Sequence, residues 1–304
     1  MKIFHHNDLD GYGSAAVIAY HLKATTDVEL TEENFLCLEH HPQKDFEKIR
    51  TVKPGETAYF VDYSFSENTL PWLQMVMERT KDLIWIDHHQ TSVDLMKLHP
   101  ELEEIRGVRY VGISGAALSY MWINDFEINE QSLQEKVPYF LQLIDDHDCW
   151  KQKKTPVSDY FMLGMKASMR DLCGEYSIWN IIFSECMSPI QAGSIVTTTI
   201  AQGDAIKKYL DAFYAELREE YGYESELEGV PCFVVNTEGN SWVFGDLINK
   251  YPMVAIYTFD GEYYRVSLYS QGKVDCSKIA EKYGGGGHVS ASGFSCTTFP
   301  FPKK

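Results

Sequence analysis

Short apolar runs, each closed by an acid or a histidine, alternate with longer apolar or amphipathic stretches through the first half of the chain. Lys2 to His5 reads as a strand that runs into His6-Asn7-Asp8-Leu9-Asp10-Gly11, and Gly13 to Leu22 reads as a buried helix. Phe35 to Leu38 is a second strand, ending at Glu39-His40-His41. Thr57 to Val61 is a third, ending at Asp62. Ser66 is placed to cap the next helix, from about Asn68 to Arg79, with Pro71 in its first turn. Leu83 to Ile86 is a fourth strand, closed by Asp87-His88-His89. Strands alternating with helices predict an α/β fold: a parallel sheet with right-handed crossovers and helices on both faces. In open sheets of this kind ligands bind outside the carboxyl ends of the strands, which is where these acids and imidazoles fall.

The pattern continues with a helix starting at Ser114-Gly115-Ala116-Ala117. Another apolar helix follows, from Leu133 to Ile144, running into Asp145-Asp146-His147-Asp148-Cys149-Trp150. Lys151 to Ser188 is mixed. Pro189 to Tyr221 is predicted helical, with Ile206, Leu210, Phe213 and Leu217 on one stripe of its second part. Gly222 to Gly229 loses apolar pattern, which puts a boundary there. Beyond it Cys232–Val235, Met253–Phe259 and Tyr263–Tyr269 read as strands, with Asp260-Gly261 as a hairpin turn, and Ser277–Tyr283 as a short helix. Phe299 to Lys304 is expected to be a tail. The predicted organisation is an N-terminal domain over 1–188, a helical connector over 189–225 and a smaller α/β domain over 226–304.

Composition narrows the function. With 304 residues, 44% of them hydrophobic, the chain can bury a core and hold two domains, and no apolar run is long enough to span a membrane. The N-terminus passes straight into polar, acidic sequence and is not read as a signal peptide. Seven cysteines, an odd number without CxxC spacing, suggest neither a disulfide framework nor a zinc knuckle and fit a reducing cytoplasm. The 44 acidic residues against 27 basic ones give a net charge of −17, a poor footprint for duplex nucleic acid. Lone residues take ordinary roles: Trp72, Trp85 and Trp122 in the core, Cys37, Cys173 and Cys232 as packing residues, and His40 and His41 on the surface, with a place near the site, at the second strand end, as their alternative.

Four acidic turns follow apolar runs: His6/Asp8/Asp10, Asp62, Asp87/His88/His89 and Asp145/Asp146/Asp148. Each alone reads as an ordinary turn or helix end. Together, in a parallel sheet, they would gather so many carboxylates that only cations could keep them ionised at neutral pH. Oxygen and imidazole donors favour Mn²⁺ or Mg²⁺, and their number suits two metals about 3.5–4 Å apart, the arrangement that serves phosphoryl transfer. The run Gly284-Gly285-Gly286-Gly287-His288 lets backbone amides approach a phosphate or sugar closely. It lacks the Gly-Lys-Ser/Thr of a P-loop.

His6-Asn7-Asp8-Leu9-Asp10-Gly11, Asp62, Asp87-His88-His89 and Asp146-His147-Asp148-Cys149-Trp150 resemble the four motifs of the DHH phosphoesterases. Gly284 to His288, with Ala291-Ser292-Gly293 behind it, resembles the glycine-rich signature of their DHH-associated C-terminal domain. The resemblance runs through the whole chain in the family's order. It implies a two-metal hydrolase of phosphate esters or anhydrides, dependent on Mn²⁺ with Mg²⁺ as the alternative. Carried over by position, His6, Asp8 and Asp62 would hold one metal, and Asp10, Asp62, His88 and Asp146 the other. His89 would face the scissile phosphate and Asp87 would orient a neighbouring imidazole. Asp146 is chosen over Asp148 for the fourth motif. Arg265, Ser267, Gly285, Gly286, Gly287 and His288 would bind substrate, and Tyr269, where many relatives carry arginine, would offer a stacking surface. The expected substrate is a short single-stranded oligonucleotide or small nucleotide diester attacked from an end, without duplex nucleic acid or membrane, and the candidate assembly is a homodimer. A phosphomonoesterase or polyphosphatase, or a silent nucleotide-binding sensor, are the rival readings.

Overall fold

The computed structural model describes residues 1–287 and 289–303. The chain forms two compact units, Met1–Ile206 and Lys207–Lys304. The first contains β1 (Lys2–His6), α1 (Leu9–Thr25), β2 (Phe35–Leu38), α2 (Pro42–Ile49), β3 (Thr57–Val61), α3 (Leu70–Arg79), β4 (Asp82–Ile86) and α4 (Gln90–Leu98). It continues with α5 (Gly115–Ile123), α6 (Glu130–Lys136), α7 (Tyr139–Asp148), α8 (Val157–Met165) and α9 (Ile178–Glu185). Helix α10 (Ser194–Tyr221) starts in this unit, and the division falls inside it, so the expected connector is shared between the units.

The sheet is wholly parallel, in the order β2-β1-β3-β4. Phe4, Leu38, Phe60 and Trp85 project from one face into a core shared with Ile49 of α2, Leu70, Leu73 and Val76 of α3 and Leu95 of α4. Alternation sends Ile3, Val61, Ile84 and Ile86, all buried, to the opposite face, on which α1 and α5 pack. The register pairs His5 with Val61 and Val61 with Ile86, so β1, β3 and β4 end level with one another. The strand order reverses direction between β1 and β3, which opens a crevice at those carboxyl ends.

Three local expectations are corrected in this unit. The helix expected over Leu133–Ile144 is two helices, α6 and α7, broken at Val137-Pro138, because proline disfavours helix at the residue before it. The helix expected from Asn68 starts at Leu70, and Ser66 contributes its carbonyl, which accepts from the amides of Thr69 and Leu70. The mixed stretch after Lys151 holds α8 and α9.

The second unit holds β5 (Gly222–Leu227), β6 (Val230–Asn236), α11 (Leu247–Lys250), β7 (Met253–Phe259), β8 (Tyr264–Tyr269), α12 (Cys276–Lys282), β9 (Gly286–Gly287) and β10 (Ala291–Cys296). They form one mixed sheet in the order β5-β6-β7-β8-β10-β9. The patternless segment after Gly222 is therefore the strand β5. Of its two buried positions, Ser225 and Leu227, the first is polar: the Ser225 hydroxyl donates to the Pro302 carbonyl at 2.7 Å, and a buried serine interrupts the apolar alternation. The expected tail is also corrected: Phe301 is fully buried in the core of this unit, and Tyr223 donates to its carbonyl. No helix among the described residues is long and apolar enough to cross a membrane.

Candidate active site

Asp8 caps the N-terminus of α1, accepting from the Gly11 amide at 2.9 Å, and its other oxygen lies 2.7 Å from Nδ1 of His6. Burial works to raise the Asp8 pKa, but the His6 contact and the Gly11 amide outweigh it and hold the carboxyl at about 2. Asp10, in the first turn of α1, is turned to the N-terminus of α5: its oxygens accept from the amides of Gly115 at 2.6 Å and Ala116 at 2.8 Å. Gly115 is required there, since a Cβ would stand 2.7 Å from that of Asp62. The first turn of α5 carries no acid of its own, so its amides and positive end are free to receive one from elsewhere. That missing acid was the sequence signal for this contact.

Asp62 follows β3 in the left-handed region, φ +53°. Its carboxylate is 1% exposed and neither oxygen has a hydrogen-bond partner. Burial and the charges of Asp10, Asp8 and Asp148 push its pKa well above the carboxylate range. His88 reaches it from β4: Nε2 lies 3.2 Å from Asp62 Oδ1, 3.2 Å from Asp148 Oδ2 and 3.7 Å from Asp10 Oδ2. Asp148 is likewise pushed well up by burial, then by Asp10 and Asp8.

Asp87, fully buried, places one oxygen 2.7 Å from Nδ1 of His89 and receives the Ser92 hydroxyl on the other. Burial lowers the His89 pKa, but Asp87 more than offsets it, so the imidazole titrates above its ordinary value. His89 Nδ1 is 4.0 Å from Asp62 Oδ1.

Asp146 is corrected. Its Oδ1 accepts from the amides of Lys153 and Lys154, at 2.8 and 3.0 Å, and its Oδ2 from the Ser158 hydroxyl at 2.8 Å. It anchors the loop into α8, and the carboxylate beside His88 is that of Asp148. Asp145 accepts from the Ser114 amide and pairs with Lys151 at 2.6 Å, the cation that negative charge at a helix C-terminus requires. Cys149 also enters, its sulfur 3.9 Å from His88 Nδ1, but burial pushes the thiol up and keeps it protonated.

Among the described residues, three sets place ligand atoms within 4.8 Å of one another: His6/Asp8/Asp62, Asp62/His88/His89 and His88/Asp148/Cys149. Asp62 belongs to two of them. An ionised, buried, unpartnered carboxylate costs several kcal/mol, so these residues fit a cation, and oxygen with imidazole suits a hard divalent ion. His40, expected on the surface, is exposed but lies against the site, its ring 5.3 Å from that of His6. His41 meets the surface expectation, accepting from the Lys44 amide at the start of α2.

In the second unit Arg265, Ser267 and Gly285 line one cleft of about 450 Å³ with Gly293 and Ser295. Only glycine fits at 285, where a Cβ would meet the Gly293 carbonyl at 2.1 Å. Gly286 and Gly287 form the exposed edge strand β9. Tyr269 packs against Phe244, with centroids 6.3 Å apart, so its ring is half-buried. His288 lies outside the described residues.

No family model matches the chain. It is 23% identical over 310 residues to oligoribonuclease NrnB of Bacillus subtilis, covering 97% of this chain and 72% of that protein. It is 21% identical over 313 residues to an uncharacterized protein of Acanthamoeba polyphaga mimivirus, covering 96% of this chain and 66% of that one. The solved DHH domain of a member of a family of ribosomal proteins shares the fold, with a TM-score of 0.53 at 14% identity over 96% of this chain and 81% of that one. In the order of its motifs, in its parallel sheet and in this similarity along nearly all of its own length, the chain is similar to the DHH phosphoesterases, and it shares their fold.

Proposed function

We propose that the chain is a two-metal phosphodiesterase that hydrolyses short single-stranded oligonucleotides or small nucleotide diesters from an end, in the cytoplasm. The observation that carries this reading is Asp62. A buried carboxylate with neither oxygen hydrogen-bonded stands between His6 and Asp8 on one side and His88 and Asp148 on the other. One ion would be held by His6, Asp8 and Asp62, the other by Asp62, His88 and Asp148 with Asp10 at its edge. Two divalent ions, Mn²⁺ foremost, would supply charge neutralisation for the phosphoryl oxygens and activation of water.

The protein's own groups prepare that site. The α5 amides fix the Asp10 carboxylate. Asp87, itself fixed by Ser92, holds the His89 ring by Nδ1 and leaves Nε2 to carry a proton toward the phosphate. The cleft of Arg265, Ser267 and Gly285 offers donors for a remote phosphate or sugar. That NrnB is named an oligoribonuclease supports the substrate class.

The test is a panel of dinucleotide, trinucleotide, 3′-phosphorylated mononucleotide, polyphosphate and aryl phosphodiester with Mn²⁺, read by product identity. Mononucleotides released from the end of the short oligomers support the proposal. Turnover of polyphosphate or the monoester alone overturns it.

A further inference from the structure

His40 stands beside the crevice but outside the family motifs, and the structure holds it in an unfavourable backbone conformation. Its φ is +54°, the left-handed region that a turn fills with glycine or asparagine when only the turn matters. The next strand end repeats the device, since Asp62 has φ +53°. Such outliers persist where the surroundings over-determine them, and they concentrate at active sites.

Here the surroundings are Asp45 and Tyr63. Asp45, 1% exposed, accepts from the amides on both sides of His40, Glu39 at 3.2 Å and His41 at 3.0 Å. It also receives the Tyr63 hydroxyl at 3.3 Å. The Tyr63 ring is in turn the platform on which the His40 imidazole stacks, with centroids 4.7 Å apart and planes 11° from parallel. Tyr63 directly follows Asp62, and its carbonyl is held by the Trp85 indole at 3.0 Å. A single buried carboxylate thus clamps the flanks of His40 and the ring beneath it. The imidazole is exposed, its centroid lies 5.3 Å from that of His6, and neither of its nitrogens has a hydrogen-bond partner among the described residues. A donor has been fixed at the edge of the carboxylate cluster and left without a hydrogen-bond partner among the described residues.

We infer that His40 is a further substrate-contacting residue, its ring N–H donating to a non-bridging oxygen of the phosphate bound beside His6. The inference rests on the phosphodiesterase reading for its substrate, but the phosphate contact can be tested without turnover.

The variants are His40→Gly and His40→Asn, both at ease in the left-handed region. Three quantities are measured with the full chain: the metal-free Tm, kcat/KM for an aryl phosphodiester with Mn²⁺, and the Kd of inorganic phosphate for the Mn²⁺-loaded protein. The expected Tm is unchanged or raised by about 2–4 °C, because relief of the backbone outweighs the loss of an exposed ring. The expected kcat/KM falls about 10–100-fold and phosphate affinity falls with it. Added imidazole should restore part of the activity of His40→Gly. Wild-type turnover and phosphate affinity in both variants overturn the inference, as does a loss of activity that follows a loss of Tm. If the wild-type protein turns over no diester, the function proposal fails, and the phosphate Kd still decides the role of His40.

Discussion

The imidazole of His88 lies 3.2 Å from the carboxylate of Asp148, while Asp146, two residues earlier on the same helix, bonds to the loop into α8 instead. Two positions on a helix are about 200° apart around the axis, so only one of these acids can face the crevice. Asp148→Asn is expected to lose metal from the His88 side, seen as a lowered metal-to-protein ratio by elemental analysis. Asp146→Asn keeps the metal and instead lowers stability by about 1–3 kcal/mol, because an amide cannot accept from all three donors on α8 and its loop. The reverse pattern, metal lost from Asp146→Asn and retained by Asp148→Asn, restores the sequence assignment.

Asp62 and Asp148 set the pH response of the metal-free protein. Both carboxyls titrate well above the ordinary carboxylate range, by burial first and neighbouring carboxylates second. The folded state therefore binds more protons than the unfolded one, and stability falls as pH rises above about 4 toward the raised values. A chelated sample should have its urea midpoint highest in mild acid and lower at neutral pH. Mn²⁺ should flatten that slope by neutralising the pair. Asp62→Asn should raise the metal-free Tm, by about 2–4 °C for each kcal/mol of relieved repulsion, and abolish the Mn²⁺-induced rise. A metal-free midpoint that climbs steadily from mild acid to neutrality contradicts this account.

The end of the chain is part of the second core. Phe301 is fully buried, and the carbonyls of Phe301 and Pro302 accept from Tyr223 and Ser225 of β5. Phe301→Ala is expected to cost about 3–5 kcal/mol. Removal of Lys303 and Lys304 should cost under about 1 kcal/mol, since Lys303 is exposed and the buried contacts of the segment end at Pro302. Equal thermal melts for Phe301→Ala and the wild type would show that the segment is dispensable.

What could be read from the sequence and what could not divide along physical lines. The parallel sheet was legible because buried strands are continuous apolar runs, and the acids that close them fall at one edge by topology. The choice between Asp146 and Asp148 was not, because it depends on which side of α7 faces the crevice. The approach of α5 to Asp10 shows only as an absence, a helix first turn without an acid. His40 was only half legible: its place at the end of β2 put it at the right edge of the sheet, but the register that sets a residue two past Leu38 near His6, and so favours the site over the surface, shows only in the structure. Strand β5 and Phe301 were missed together, for Ser225 breaks the apolar pattern and the segment it binds is rich in proline.

The last prediction separates chemistry from substrate holding. All the residues of the His/Asp cluster lie in the unit Met1–Ile206, and the cleft of Arg265, Ser267 and Gly285 lies in the unit Lys207–Lys304. The Arg265 side chain is 67% exposed and pairs with Asp260 at 2.8 Å, an exposed ion pair worth little to stability. Arg265→Ala should therefore fold as the wild type does. If the cleft binds a remote phosphate or sugar of the substrate, as the proposed function has it, loss of a charge-assisted contact there should lower kcat/KM for a dinucleotide about 10–100-fold. Part of that loss should fall on kcat, because binding energy from a remote group also positions the reacting phosphate. An aryl phosphodiester presents no such group, so its kcat/KM should fall at least about 10-fold less than that of the dinucleotide. Asp62→Asn, by contrast, should abolish turnover of both. The deciding measurement is kcat/KM for both substrates in both variants at saturating Mn²⁺. Equal losses on the two substrates in Arg265→Ala, with the melt unchanged, would place Arg265 at the reacting phosphate and end the division of labour between the units.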